Sequence, residues 1–538
     1  STVYVISLLT PIFIIILLGF INFEIEYFYV FAIFFIDLII LILTHKKIIE
    51  KIFFFKISLN IIFLAILIFI MSNFALGTFP WFHIKSLSSL GYQDTFKDAA
   101  LANSLRFYGV HSLGIHGLME INYHSLFAYF YSPLLKNNIS TFYTFYSVGI
   151  IFTSSLISYS IHLISKINLR EFHSYLNIYF LYFILFFVID IHLISNQKSF
   201  QISSLITIPI AMIVTDLWLN NKKNIFGCIL ILFFIIFISY SRVFHGIIIT
   251  LSILPLILFR KNIERIILLT SFILSSYFII TFFTKNDRSE ETFRLSHLLK
   301  SLGSYEYSFN YIISGPLIFL VTIFFIIILK NSTKKIFSLK SYHDYPSLYF
   351  AIYLSLVFYI VSQISKNETD MYYFAVPIGY LFFFSLLNYK NLKIIYDFFI
   401  KISFNKFNLL KNFKILFISF FVILFISKFF WVSIYGTSKS EYFDFRVIYD
   451  DKIQNLQYNN FFEKIINTPA AKISKNINNI LAEYEGNTAI YVPLENPFWN
   501  YRHINPTTSA GLYFMAVDRI PMIFSIFKNE YITNSAFA

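Results

Sequence analysis

The chain has 538 residues, of which 57% are hydrophobic and only 13% charged, and its mean hydropathy is +0.68. Soluble domains carry about 25% charged and about 45–50% apolar residues, so this composition predicts an integral membrane protein rather than a string of soluble domains. The formal net charge of +13 requires no nucleic acid, because basic cytoplasmic loops next to anionic lipid headgroups account for it. Membrane lipids are therefore expected partners, and nucleic acid is not.

Apolar runs of about 20 residues recur along the chain and predict transmembrane helices. We expect thirteen, at about 4–22, 27–44, 57–75, 141–164, 175–195, 201–218, 224–241, 244–259, 266–283, 308–329, 347–365, 371–388 and 413–434. Such runs are too long for barrel strands, so the predicted fold class is an all-α polytopic membrane bundle spanning residues 1–434. The seventh and eighth helices form a tight pair, divided only by SYSRVFHG.

The orientation follows from the Lys and Arg residues, which are retained in short cytoplasmic loops. Alternate connections are basic: HKKIIEK at 45, NKKN at 221, RKNIER at 260 and KNSTKKIFSLK at 330. The connections between them are poor in basic residues: INFEIE at 21, SNQKS at 195 and SKNETD at 365. A cytoplasmic amino terminus fits every loop, and it places residues 76–140, 284–307 and everything after about 435 on the outer side.

The outer loop at 76–140 contains GYQDTFKDAALANSLRFYG, where Asp94, Lys97, Asp98 and Arg106 interrupt an otherwise apolar chain. Residues 94–107 have the spacing of a helix, whose apolar face comprises Phe96, Ala99, Ala100, Leu101, Ala102 and Leu105. Asp94 and Asp98 are four residues apart, so both carboxylates lie on one helix face and could converge on one point. Asp94 is alternatively the N-cap of this helix.

The same loop continues with GVHSLGIHGLMEINYHSLFAYFYSPLL, which holds His111, His116, Glu120 and His124. Histidine with a carboxylate is typical of a general base or a metal site. The spacing matches no compact zinc motif, so we predict no metal cofactor and keep a divalent metal as the alternative. YHSLFAYFYSPLL has the pattern of a short amphipathic helix lying on the bilayer face.

Two further features lie in the bundle. Arg242 and His245 fall in SYSRVFHG on the outer side, where a cation is costly unless it is paired or wetted. A lipid phosphate is a natural partner for the guanidinium, and snorkelling to ordinary headgroups is the alternative. The only cysteine is Cys228, in the seventh predicted helix, so intrachain disulfides and multi-cysteine metal sites are excluded.

After about residue 434 the composition becomes polar for roughly a hundred residues. A helix-like stretch near 460–484 is followed by the strand-like TAIYVPL. We therefore expect residues 435–538 to form a small α/β extracytoplasmic domain.

The outer loop, with DTFKDAALANSLRFYG and then INYHSLFAYFYSPL, resembles the first external loop of the GT-C superfamily. These are multispanning glycosyltransferases that use polyprenyl-phosphate-linked sugars, such as protein mannosyltransferases and aminoarabinose transferases. The shared pattern is an acidic pair opening an amphipathic helix, a glycine at its end and a Tyr/His-Pro-rich run before the next span. Asp94 matches the catalytic carboxylate, whereas Thr95 stands where many relatives have Glu, so the chain lacks the second acid of the pattern unless Asp98 replaces it. A second similarity is KNETDMYYFAVPIGYLFF at 366–383, a charged outer loop leading into a span with Tyr and Pro.

The resemblance implies an enzyme that transfers a sugar, with inversion, from a polyprenyl-phosphate lipid to an acceptor hydroxyl, in a bacterial cytoplasmic membrane. Asp94 or Asp98 would be the catalytic carboxylate. The implied substrate-binding residues are Lys97, Arg106, His111, His116, Glu120, His124, Arg242, His245, Glu368, Asp370 and Tyr372. Two alternatives remain open: a polyprenyl-linked glycan polymerase or ligase, and a non-catalytic membrane subunit of a larger envelope assembly with unknown membrane-protein partners.

Overall fold

The computed structural model describes residues 2–24, 93–109, 125–136, 139, 141–145, 198–220, 223–285, 346–364, 374, 376–381, 384–385, 476, 479–480, 490–491, 515, 519–520 and 522–523. The helices in these ranges are α1 (Thr2–Phe20), α2 (Gln93–Tyr108), α3 (Leu126–Tyr131), α4 (Thr141–Tyr143), α5 (Lys198–Leu219), α6 (Ile225–Ser241), α7 (Val243–Phe259), α8 (Asn262–Lys285) and α9 (Pro346–Ile364). A 3₁₀ turn, Ser132–Leu134, follows α3. The described part is otherwise helical apart from the strands β1 (Ile490–Tyr491) and β2 (Met522–Ile523), which pair in parallel.

The apolar runs predict these helices closely. Helices α1, α5, α6, α7, α8 and α9 each coincide with a predicted span to within about four residues at either end. The tight pair is confirmed, since Arg242 is the one residue between α6 and α7. Strand β1 falls inside TAIYVPL, as expected. The remaining predicted spans and most of residues 435–538 lie outside the described residues.

Two of the described helices, Lys198–Leu219 and Asn262–Thr281, are long and apolar enough to cross a membrane. Helix α8 exposes an apolar stripe of Ile263, Ile266, Ile273, Tyr277 and Ile280 at helical spacing. Its buried face carries Glu264, Ser271 and Ser275 beside Leu268. A lipid solvent favours helices with apolar residues on the exposed face and polar residues on the buried face, because lipid cannot hydrogen-bond polar groups.

The chain divides into two compact units, and α1 and α5 supply residues to both. The first unit comprises Ser1–Leu9, Ile157–Asp190 and Ser203–Phe425, and the second comprises Thr10–Leu156, Ile191–Ile202 and Ile426–Ala538.

In the first unit, α6, α7 and α8 pack against one another around small polar residues. A Cβ placed on Gly246 of α7 would lie 2.8 Å from the Cα of Ser239 on α6, so the two backbones approach closely. The hydroxyl of Ser275 on α8 lies 3.3 Å from that of Ser239 and 2.6 Å from that of Thr250. Small residues and hydroxyl pairs of this kind hold helices together within membranes.

In the second unit, the end of α1 forms a Schellman motif. Asn22 adopts a left-handed backbone with φ of 53°, and the N–H groups of Asn22 and Phe23 donate to the carbonyls of Gly19 and Leu18 at 3.1 and 2.9 Å. This pattern satisfies carbonyls that would otherwise be unpaired at a helix end. It also directs residues 22–24 away from the helix axis, where they meet α2.

Helix α3 forms where the sequence predicts a short helix, but its environment differs from the prediction. Leu126, Phe127, Phe130 and Tyr131 are all buried by protein rather than presented to a bilayer surface. The cause is packing against α1 and α2: the ring of Phe20 stacks on Tyr129 with centroids 4.0 Å apart, and α2 contacts α3 directly. The amphipathic surface helix is therefore a wrong expectation, since periodicity does not reveal that protein covers both faces.

Candidate functional site

Helix α2 carries the acidic residues of the outer loop, and its bounds agree with the prediction. It begins at Gln93, so Asp94 lies in its first turn rather than at the N-cap. The alanines 99, 100 and 102 are fully buried, as the predicted apolar face requires. The helix ends at Tyr108 and is followed by Gly109, whose φ of 66° lies in the left-handed region and whose N–H donates to the Leu105 carbonyl at 3.1 Å. Glycine adopts this conformation without steric cost.

Asp98, one turn after Asp94, is buried and caps another helix. Its carboxylate accepts a hydrogen bond of 2.9 Å from the backbone N–H of Lys198, the first residue of α5. The first N–H groups of a helix lack intrahelical partners and carry partial positive charge, so a carboxylate there is stabilising. The geometry thus gives Asp98 a structural role that joins α2 to the start of α5.

Lys198 itself is fully buried beside Asp98. Its ammonium donates to the carbonyl of Phe145 at 3.4 Å and lies 5.6 Å from the centroid of the Phe145 ring. A buried ammonium needs such partners, because desolvation of an isolated charge is costly. Lys198 and Asp98 also interact electrostatically, so the pair fixes the start of α5 against α2.

One turn further along α5, Gln201 continues this buried network. Its Oε1 accepts a hydrogen bond of 2.6 Å from the hydroxyl of Tyr131 on α3. Burial, together with the charge of Asp98, raises the pKa of Tyr131 far above its usual value. The phenol therefore remains protonated and keeps donating at any physiological pH.

Arg106 lies in the last turn of α2 and is committed to contacts with the end of α1. Its guanidinium forms an ion pair with Glu24 and donates to the carbonyls of Asn22 and Leu135, each at 3.3 Å. The amide of Asn22 donates back to the carbonyl of Arg106 at 3.1 Å. Arg106, predicted to bind substrate, thus has a structural role in fastening α2 to α1. Lys97 is half-buried on the same helix.

Asn103 is fully buried in the middle of α2, and both ends of its amide are engaged. Its Nδ2 donates to the carbonyl of Met515 at 2.8 Å, and its Oδ1 accepts from the hydroxyl of Thr141 at 2.5 Å. One side chain therefore joins three segments that are far apart in the sequence.

Arg519 contacts the end of the same helix. Its guanidinium lies 4.6 Å from the centroid of the Phe107 ring and donates to the carbonyl of Ile139, while its own carbonyl accepts from the hydroxyl of Tyr108 at 2.7 Å. Partial burial raises the pKa of Tyr108, which keeps that hydroxyl protonated. Arg519 adopts a left-handed backbone with φ of 61°, which is uncommon for any residue other than glycine.

Arg242 and His245 lie in the first unit, and both are buried. Arg242 ends α6 and precedes α7, with its N–H donating to the Ile238 carbonyl at 2.7 Å. Nδ1 of His245 lies 2.7 Å from the hydroxyl of Ser203 and 3.2 Å from that of Thr207. Both side chains are therefore enclosed by protein and not spread over a lipid-facing surface.

Several predicted site residues cannot be placed. His111, His116, Glu120, His124, Glu368, Asp370 and Tyr372 lie outside the described residues. Asp94 is described through its backbone position in α2 alone. Within the described ranges, no group of three or more His, Cys, Asp or Glu residues could hold a metal ion.

The sequence reasoning missed Asn103, Lys198, Gln201 and Arg519. Lys198 did carry a signal, since it is a basic residue in SNQKS, a connection predicted to be outside and poor in basic residues. Asn103 carried a weaker one, as an amide within the apolar stretch AALANSL.

No protein family, curated protein or solved structure matches this chain.

Proposed function

We propose that this protein is a membrane glycosyltransferase, which moves a sugar from a polyprenyl-phosphate donor to an acceptor hydroxyl on the outer face of a bacterial cytoplasmic membrane. The leaving group is a lipid phosphate, so the protein must deprotonate the acceptor hydroxyl and stabilise the departing phosphate. Asp94 is the general base. Lys97, on the same helix, is the cationic group that neutralises the phosphate.

The observation that carries this proposal is the form of α2. An acidic residue lies in its first turn, its centre is buried through small alanines, and a left-handed glycine ends it before α3 and the Pro133 turn. Apart from the second acid of the pair, this is the order of features that the resemblance to the GT-C first external loop implies. Asp94 is favoured over Asp98 as the base, because the carboxylate of Asp98 accepts a hydrogen bond from the first N–H of α5.

Contacts within the second unit support the proposed outer side. Loop charge assigns residues 22–24, helix α2, the start of α5, Met515 and Arg519 to the outer side, and α2 contacts each of the others. Two loops assigned to the cytoplasm also meet, within the first unit. Arg260 donates to the carbonyls of Leu217 and Asn220, and Glu264 accepts from the N–H of Asn224.

This orientation predicts the result of cysteine labelling in intact cells. Cys228, the only native cysteine, is buried and is replaced by Ala. In that background, Ile21→Cys, at a position 70% exposed, should react with a membrane-impermeant maleimide. Lys261→Cys, also at an exposed position, should react only after the cells are permeabilised. Reaction of both positions in intact cells would refute the orientation.

The activity itself is tested with membranes that contain the overproduced protein and their native acceptors. These are incubated with a panel of synthetic undecaprenyl-phosphate hexoses and pentoses, and released undecaprenyl phosphate is measured by mass spectrometry. At least one donor should be consumed faster than by membranes that lack the protein. If none is consumed, the glycosyltransferase proposal fails and a non-catalytic membrane subunit becomes the better explanation.

A further inference from the structure

We infer that the C-terminal residues Met515 and Arg519, here called the tail clasp, position helix α2, and that Asn103 is the positioning residue through which they act. The clasp rests on contacts in the second unit alone, whereas its effect on catalysis rests on the proposed function. More than 400 residues separate the clasp from α2 in the chain, since the sequence separations are 412 for Asn103 with Met515 and 411 for Tyr108 with Arg519.

The clasp contacts one side of α2. Asn103 and Phe107 are four residues apart and therefore lie on the same helix face, with Tyr108 next to it. Met515 bonds to the first of these, and Arg519 contacts both of the others. Contacts at both ends of a helical turn fix the rotation of α2 about its axis as well as its position.

Burial favours the Asn103 contact. A buried amide donor without a partner loses the hydrogen bonds it would make to water, which is much less favourable than a satisfied pair. Because Nδ2 of the fully buried Asn103 bonds to the Met515 carbonyl, release of the clasp breaks a hydrogen bond at a buried site. Docking of the clasp and the native placement of α2 are consequently coupled, and such coupling is reciprocal.

The backbone conformation of Arg519 also supports the clasp. A left-handed conformation at a residue with a side chain is unfavourable and persists where surrounding contacts determine it. At Arg519 those contacts are the cation over the Phe107 ring, the bond to the Ile139 carbonyl and the bond from Tyr108. This conformation is therefore a feature of the docked state.

The position of α2 matters because Asp94 stands in its first turn. A helix transmits a shift or rotation along its length, and general-base catalysis is sensitive to displacements of about 1 Å. Asp98 fixes the amino-terminal half of α2 against α5, and the clasp fixes the carboxy-terminal half. Loosening the clasp should therefore misplace the base without removing it.

The test uses Met515→Cys in the Cys228→Ala background, in purified protein in detergent. The Met515 side chain is only 3% exposed, so a cysteine there reacts with maleimide mainly when the clasp opens. The bond from Asn103 goes to the Met515 backbone and survives this substitution. Ile21→Cys supplies the reference rate for a fully accessible thiol.

Asn103→Ala and Arg519→Ala should each raise the reaction rate of the cysteine at 515 by roughly 5- to 150-fold. Tyr108→Phe removes one hydroxyl from a partly exposed residue, should fold normally and should raise the rate by about 5-fold. Arg519→Lys retains a cation over Phe107 and should restore much of the protection. Tyr277→Phe, at an exposed position on α8, is the matched control and should leave the rate unchanged.

The outcomes separate the clasp from the proposed function. Unchanged labelling in Tyr108→Phe and Arg519→Ala overturns the clasp. If labelling rises and the donor consumed by the wild type is turned over with lower kcat but similar KM, the positioning role is supported, since KM would rise for a lost binding contact. If labelling rises while kcat stays at the wild-type value, the contacts of the clasp with α2 are confirmed, but its role in positioning Asp94 is overturned. If labelling rises and the wild type itself consumes no donor, the glycosyltransferase proposal fails and the clasp stands.

Discussion

Asp94→Asn is expected to lower the rate of sugar transfer by about 10²–10⁴-fold while leaving the amount of folded protein in the membrane unchanged. Loss of a general base removes that much rate, because the acceptor hydroxyl must then lose its proton to water. Asparagine has the same shape as aspartate and is also tolerated near a helix start. Position 94 lies in the first turn of α2, so the expected stability change is small compared with the change in rate.

Asp98→Asn provides the matched control, one helical turn away. The amide oxygen can still accept from the N–H of Lys198, but the negative charge beside the buried Lys198 is lost. We therefore expect a lower melting temperature in detergent, with kcat per folded molecule within a few-fold of the wild type. The measurements are undecaprenyl phosphate release and thermal unfolding, made on both variants. A stable Asp98→Asn protein without activity, beside an active Asp94→Asn protein, would transfer the role of base to Asp98.

The second large effect is expected at Gly19, where helix α1 meets the backbone of α3. A Cβ at this position would overlap the carbonyl oxygen of Tyr129 and lie 2.9 Å from its Cα. Helix propensity alone favours Ala over Gly by about 1 kcal/mol, so a propensity argument predicts stabilisation. The clash reverses that sign, because overpacking costs about 1–3 kcal/mol, occasionally more, and here the obstructing atoms belong to backbone.

A size series separates this clash from a general effect of replacing glycine. Gly19→Ala should lower the melting temperature, and Gly19→Leu should lower it further, up to loss of folded protein. At Gly109 a Cβ meets no atom of the described residues within 4 Å, so the cost of a side chain there comes from the left-handed backbone and is about 1–2 kcal/mol for either Ala or Leu. Equal melting temperatures for Gly19→Leu and the wild type would show that α1 and α3 do not approach as described.

Local patterns explain why the helices were predictable. Helix α2 could be bounded from its alanine face and its terminal glycine, and the α6–α7 pair from a single polar interruption at Arg242. The bounds of α2 and the break between α6 and α7 both depend on residues within one or two helical turns of each other. Side-chain spacing and backbone preference determine structure over that distance. Helix α8 was also predictable from its composition, because it is rich in apolar residues, as helices that face lipid are. Its exposed stripe is apolar for the same reason.

The candidate site was less predictable, because its contacts join distant segments. Asp98 and Asp94 look equivalent in the sequence, yet packing turns Asp98 into the cap of a helix that begins 100 residues later. The sequence predicts that Arg106 binds substrate, whereas in the structure it pairs with Glu24, which the Schellman turn at Asn22 brings to it. Periodicity states which face of a helix is buried, but it does not state which segment covers that face.

The sequence by itself determined the membrane-like composition of this protein, the placement of its described helices and the glycine that ends α2. These properties depend on hydrophobicity and on backbone preferences that each residue carries wherever it is placed. Only the tertiary structure decided that α3 is enclosed by protein, that Lys198 is buried beside Asp98, and that Asn103 binds the tail clasp. Those outcomes depend on which surfaces meet, because a buried polar group must find its hydrogen-bond partner in whatever segment the fold brings to it.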